Sequence, residues 1–113
     1  MYYTYVLLSN RDNKFYIGYS ADLRVRFNEH QEGKVTATQN RRPLMIVYYE
    51  ACLNKQDAIK REKYFKTGFG RRFLSNRLKI YLTEARMAGG AKPPTGKRNL
   101  KRPDAVNTRL APA

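Results

Sequence analysis

Two strand-like runs separated by four turn residues constrain this chain more than any other feature. Tyr2–Ser9 mixes aromatic and β-branched residues, Asn10-Arg11-Asp12-Asn13 supplies turn chemistry, and Lys14–Gly18 resumes the strand. A β-hairpin is predicted. Side chains alternate across a strand, so Tyr3, Tyr5, Leu7 and Ser9 share one face of the first strand. A turn centred between Arg11 and Asp12 pairs Leu7 with Tyr16 and Tyr5 with Gly18. Tyr5 and Tyr16 then stand diagonally on one face, close enough to serve one pocket. Packing alone accounts for them equally well, because strands favour aromatic residues. Gly18, opposite Tyr5, leaves room for a close approach of backbone or substrate.

Beyond the hairpin, Ser20 is placed to cap a helix through about His30, with Leu23 and Phe27 as its inward pair. Gly33 ends that unit, and the polar stretch Lys34–Arg42, closed by Pro43, reads as a mobile loop. Leu44–Ala51 is an apolar strand expected at the centre of the sheet. Asn54 with Asp57 resembles a helix start, after which Ala58, Ile59, Glu62 and Phe65 share one broad face. Gly68 and Gly70 are expected to stop that helix. A third follows from about Arg71 into the 80s, with Leu74, Leu78 and Leu82 at one spacing. The order β-β-α-β-α-α gives an α+β, or layered α/β, domain: a short antiparallel or mixed three-stranded sheet flanked by helices.

One domain over residues 1–85 suits a chain of 113 residues. The stretch 86–113 is rich in Gly, Pro and charge, with almost nothing to bury, and reads as a disordered basic tail. Residues 1–85 carry 16 Lys/Arg against 8 Asp/Glu, and residues 86–113 carry 7 against 1. A positive excess in both parts suits a polyanion, DNA first and RNA second. The single cysteine, Cys52, cannot form an intrachain disulfide and reads as a buried reduced thiol. No secretory-signal pattern opens the chain and no apolar run approaches membrane-spanning length. A cytoplasmic protein with no membrane partner is therefore expected.

Few residues carry chemistry. Arg26 and His30 stand at i and i+4 and point the same way from the first helix, where Asp22 offers Arg26 a simple ion pair. A sole histidine near a helix end is commonly a surface residue, yet its near-neutral pKa permits proton transfer. Glu62 sits inside an apolar stripe, so its carboxylate needs either an arginine partner or a divalent cation. The chain has no phosphate-binding glycine loop, no Cys/His zinc cluster and no dinucleotide-binding loop.

These residues together resemble the GIY-YIG nuclease family. The first motif reads Tyr3-Thr4-Tyr5 and the second Tyr16-Ile17-Gly18. The likeness continues through Ser20-Ala21-Asp22-Leu23, Arg26-Phe27-Asn28-Glu29-His30 and Arg42-Pro43-Leu44. It then takes in Tyr48-Tyr49-Glu50 and Ala58-Ile59-Lys60-Arg61-Glu62-Lys63, covering roughly residues 2–83. Tyr3-Thr4 replaces the family's Gly-Ile, at positions that are chiefly structural. The resemblance is to small single-domain bacterial members. It implies Tyr5 and Tyr16 in the pocket, Arg26 against the phosphate, and Glu62 as the sole protein carboxylate on Mg²⁺, for which Mn²⁺ can substitute. Tyr5, activated by a local positive field, is the implied acceptor of the water proton; Tyr16 orients or stabilises, and His30 is an alternative base. Asn76 is a possible further polar contributor.

A domain this small reads little DNA sequence. Lys34, Arg41, Arg42, Arg71 and Arg72 suggest phosphate contacts, which position a substrate without specifying it. The expected activity is a structure-sensitive or weakly specific DNA endonuclease in repair or recombination. The alternative is a nucleic-acid-binding module that keeps the fold and cuts nothing. Oligomeric state is open.

Overall fold

A computed structural model describes residues 1–87, with backbone only for residues 85–87. The tail expected over 86–113 therefore lies, from residue 88, outside the described residues. Hydrogen bonds at the hairpin turn set the register of the sheet. Ser9 Oγ accepts from the backbone N–H groups of Arg11 and Asp12, and Asp12 Oδ1 accepts from that of Lys14. Asn13 closes the turn at φ 60°, which asparagine tolerates better than most side chains. Strands β1 (Tyr2–Ser9) and β2 (Phe15–Ser20) then pair antiparallel, with Leu7 opposite Tyr16 and Tyr5 opposite Gly18, as predicted.

The third strand, β3 (Leu44–Cys52), adds to the other side of β1, giving the order β2-β1-β3. The expected central position of the Leu44–Ala51 segment is thus corrected: β1 is central. Thr4 is buried with its hydroxyl donating to the Ala58 carbonyl at 2.9 Å. All of β1 beyond Tyr2 is buried, whereas only Leu44 and Met45 are buried in β3. The β1–β3 ladder shifts between Val6 and Leu7: Leu7 faces Ile46 and Val6 faces Tyr48, leaving Val47 as a bulge.

Helices cover both faces of this sheet. The cap of α1 (Leu23–Gln31) is Asp22, which accepts from the Val25 N–H at 3.1 Å; Ser20 instead bonds Asp22 in the preceding turn. Leu23 and Phe27 pack on Tyr3, Tyr5, Leu7 and Leu44. On the opposite face, Phe65 of α2 (Lys55–Phe65) and Leu74 of α3 (Gly68–Arg77) pack on Val6 and Ile17. Asn54 caps α2 as expected, accepting from Gln56 and Asp57. The order β-β-α-β-α-α holds, with its last helix divided at Leu78 into α3 and α4 (Lys79–Met87). None of the described helices is long and apolar enough to cross a membrane. Cys52 is half-buried, its thiol donating to the Asn54 carbonyl.

Two expectations about loops change. Gly68 and Gly70 open α3 under a Thr67 cap, where they were expected to stand between helices. A β-carbon on Gly70 would lie 1.9 Å from the Tyr64 carbonyl oxygen, so glycine is what lets α3 start against the end of α2. The segment from Lys34 to Arg42 is packed, with Val35 and Thr38 buried and Ser9 Oγ donating to the Arg41 carbonyl. Its polar composition resembles a loop's, yet Thr38 turns its hydroxyl inward to His30.

These two glycines give a paired test. Gly70→Ala should lose about 1–3 kcal/mol from overpacking, lowering the melting temperature by roughly 4–8 °C for each kcal/mol. Gly68→Ala meets nothing within 4 Å and should melt within about 0.5 kcal/mol of the native protein. Equal melting of the two variants would refute the packing explanation.

Candidate active site

The site grows from one buried phenol. Tyr5 projects from the central strand toward α1, and its ring crosses the position opposite it: a β-carbon on Gly18 would lie 2.5 Å from Tyr5 Oη. The room expected at Gly18 for a substrate is thus taken by Tyr5 itself. A buried hydroxyl needs partners, and Tyr5 Oη lies 2.9 Å from Nε2 of His30. The Arg26 guanidinium, one helical turn earlier on α1, lies close enough to act on the Tyr5 hydroxyl. A cation beside the hydroxyl draws its oxygen lone pairs, so the Tyr5 proton points to His30 Nε2. The imidazole proton then sits on Nδ1 and donates to Thr38 Oγ1 at 2.7 Å.

His30 is buried with 0% of its surface exposed, contrary to the surface position common near a helix end. Burial, with Arg26 nearby, pushes its pKa down to about 4, so the ring is neutral near pH 7. Two aromatic rings stand against it in edge-on arrangements, Tyr5 at 5.7 Å and Tyr16, half-buried on β2, at 5.1 Å. Tyr5 itself is pushed up to about 12, chiefly by burial, against the opposing pull of Arg26. The positive field expected to activate this hydroxyl is therefore outweighed by desolvation, and Tyr5 is a protonated phenol near neutral pH.

Arg26 is not paired with Asp22, which is used as the helix cap. Its salt bridge is to Glu29, 2.9 Å away and one turn on. Glu62, on α2, is largely buried and bonds Lys66 at 3.0 Å. Its carboxylate is close enough to act on the Tyr5 hydroxyl, raising its pKa further. The structure thus brings Tyr5, Tyr16 and His30 into direct contact, with Arg26 and Glu62 near enough to act on the Tyr5 hydroxyl.

The basic residues divide differently. Arg41 spends its donors on Asp12 and on the carbonyls of Lys14 and Phe15, while Arg42 bonds the Gln39 and Gln31 carbonyls below Gly33. Lys34 pairs with Glu32 on the surface. Arg71 and Arg72 are exposed on α3, Arg72 lying over the exposed ring of Phe69. Asn76 is exposed further along the same helix. Thr38, Glu29 and Lys66 are site residues the sequence did not single out. The i+3 and i+4 spacings from Arg26 and Glu62 would have found the last two; Thr38 gave no local signal.

A depressed histidine pKa makes stability depend on pH. The unfolded chain protonates this residue near 6.5 and the native state only near 4. Below 6.5 the unfolded state binds more protons, so the His30 contribution costs stability as pH falls, by roughly 3 kcal/mol at pH 4, and nothing above pH 7. His30 is the only histidine, so its ring resonances report this directly. They should stay unshifted from pH 8 to 5.5, and a midpoint near 6.5 would contradict the buried neutral ring.

Residues 1–86 match the GIY-YIG catalytic domain. A UPF0213 protein of Limosilactobacillus reuteri (strain DSM 20016) is 41% identical over 68 residues, covering 58% of this chain and 70% of the relative. UPF0213 protein YazA of Bacillus subtilis (strain 168) is 32% identical over 77 residues, covering 67% of this chain and 73% of the relative. No solved structure matches the chain. With the motif residues gathered round one buried tyrosine and the family's domain spanning the described fold, this chain belongs to the GIY-YIG family.

Proposed function

We propose that this protein is a divalent-metal-dependent DNA endonuclease, structure-sensitive or weakly specific, serving repair or recombination in the cytoplasm. The observation that carries this reading is the convergence of Tyr5, Tyr16, Arg26 and His30, with Glu62 acting on the same hydroxyl. Simple sheet packing would not require an arginine and a histidine on one phenol.

The donor chemistry fits a hard cation. Among the described residues no group of three or more His, Cys, Asp or Glu side chains is placed to share an ion. Glu62 would therefore hold Mg²⁺ or Mn²⁺ alone, with water and substrate phosphate completing the shell, a pattern usual for magnesium at phosphate sites. Lys66 would release Glu62 in doing so. The bound ion would polarise a phosphate oxygen and stabilise the leaving 3′-oxygen.

The chain's own residues supply the rest. Arg26 donates to a non-bridging oxygen of the phosphate as negative charge builds there. Tyr5 accepts a proton from the attacking water while passing its own along the existing bond to His30 Nε2. The O–H bond of water breaks as a new one forms on Tyr5, and the Tyr5 proton ends on the imidazole. Thr38 holds that ring in the accepting tautomer, and Tyr16 orients the reacting groups. In this scheme Tyr5 never becomes a free phenolate, which its pKa of about 12 would make costly. Attack at phosphorus leaves 5′-phosphate and 3′-hydroxyl ends. Arg71, Arg72 and Lys34 are the remaining candidates for backbone contacts.

A second reading, a nucleic-acid-binding module that does not cut, draws on the Lys66–Glu62 ion pair, which occupies the one carboxylate. Labelled single-stranded, duplex, flap and four-way-junction DNA in Mg²⁺ or Mn²⁺ separates the two. Glu62→Ala, Arg26→Ala and Tyr5→Phe should each lower cleavage at least about 100-fold. Salt-sensitive binding without any product, unchanged in Glu62→Ala, would instead establish the non-cutting module.

A further inference from the structure

The outer edge of β2 is wrapped by a groove of about 740 Å³ that the proposed chemistry does not use. Tyr16, from the α1 face of the sheet, and Phe65, from the opposite face, both line it, so it passes round the edge strand. Its apolar walls include Phe15, Phe65 and Leu82, and its cations are Lys14, Lys66 and Arg71; no carboxylate lines it. Lys14, Lys66 and Arg71 are all exposed. Two residues tie it to the candidate site: Tyr16 belongs to both, and Lys66 bonds Glu62.

We propose that this groove takes an unpaired nucleotide of the substrate strand next to the phosphate to be cut. The inference rests on the nuclease reading and narrows its substrate to DNA with an unpaired strand. The cations call for a polyanion. Phosphate contacts alone would leave the apolar walls facing charge; a base supplies a flat apolar face for Phe15. In an intact duplex those faces are already stacked on their neighbours, so only an unpaired or displaced nucleotide can offer one. The volume lies in the range of about 300–1,000 Å³ seen for sites that hold small ligands, too small for a double helix. The chain's own residues 88–113 are a poor occupant, being strongly basic like the rim of the groove.

The protein has no tryptophan, so Phe15→Trp places a single fluorophore in the wall. In a Glu62→Ala background, which keeps substrates uncut, a short oligo(dT) should quench it. A blunt duplex of equal length and poly-glutamate should not. Lys14→Glu with Arg71→Glu, at exposed positions that leave the core alone, should weaken oligo(dT) binding by about tenfold or more in fluorescence anisotropy with Phe15 intact. Unchanged anisotropy, absence of quenching by oligo(dT), or equal quenching by duplex or poly-glutamate would each overturn the proposal. The nuclease reading is judged apart: with Glu62 restored, quenching without cleavage in Mg²⁺ would keep the groove and remove the nuclease. Cleavage of duplex as fast as single strand, without quenching, would do the reverse.

Discussion

The Tyr5 ring fills the space that a side chain at residue 18 would need, and its hydroxyl then has to find partners inside the protein. His30 and Arg26 meet that need, which fixes where α1 lies on the sheet. His30 in turn requires Thr38, and Thr38 can be buried only because the segment after α1 folds back. That segment is fastened to the hairpin through Ser9 on the Arg41 carbonyl and Arg41 on Asp12. The same turn residues set the register that puts Tyr5 opposite Gly18. The fold and the candidate site are therefore one closed set of constraints, with Tyr5, His30, Thr38 and Ser9 as its buried polar links.

Burial and charge oppose one another here, and burial prevails. Raising the Tyr5 phenol from 10.0 to about 12 makes its anion roughly 3 kcal/mol costlier than in water, even with Arg26 nearby. Arg26 shares its donors with Glu29, so only part of its charge is spent on the phenol. The same desolvation that disfavours phenolate also keeps His30 neutral. A neutral imidazole retains an open nitrogen for a proton, whereas an imidazolium there would have none. Handing the proton onward therefore spares the phenolate but forms an imidazolium that the same burial disfavours.

Much of this was legible in the chain. The turn residues gave the register of β1 and β2 because their side chains bond the backbone locally, and Asn54 marked the start of α2 for the same reason. The i,i+4 relation of Arg26 and His30 survived because helical geometry alone enforces it. What failed depended on distant partners. Thr4 reads as polar until the Ala58 carbonyl is known to sit above it, and so the central strand was misplaced. Gly68 and Gly70 read as a break, although the close approach of Tyr64 makes glycine the residue a helix start needs there. The burial of His30 rests on Thr38, eight residues away in a stretch that looks like a loop.

The bulge at Val47 gives β3 one place where chain length and side-chain facing are uncoupled. Elsewhere in a strand, losing one residue turns every later side chain to the opposite face. Val47 stands outside the ladder, with Ile46 facing Leu7 before it and Tyr48 facing Val6 after it. Removing it would leave Tyr48 beside Phe65 and Tyr49 beside Tyr3, on the faces they already occupy. Among the described strands, only β3 has a residue whose loss would leave the facing of its neighbours unchanged.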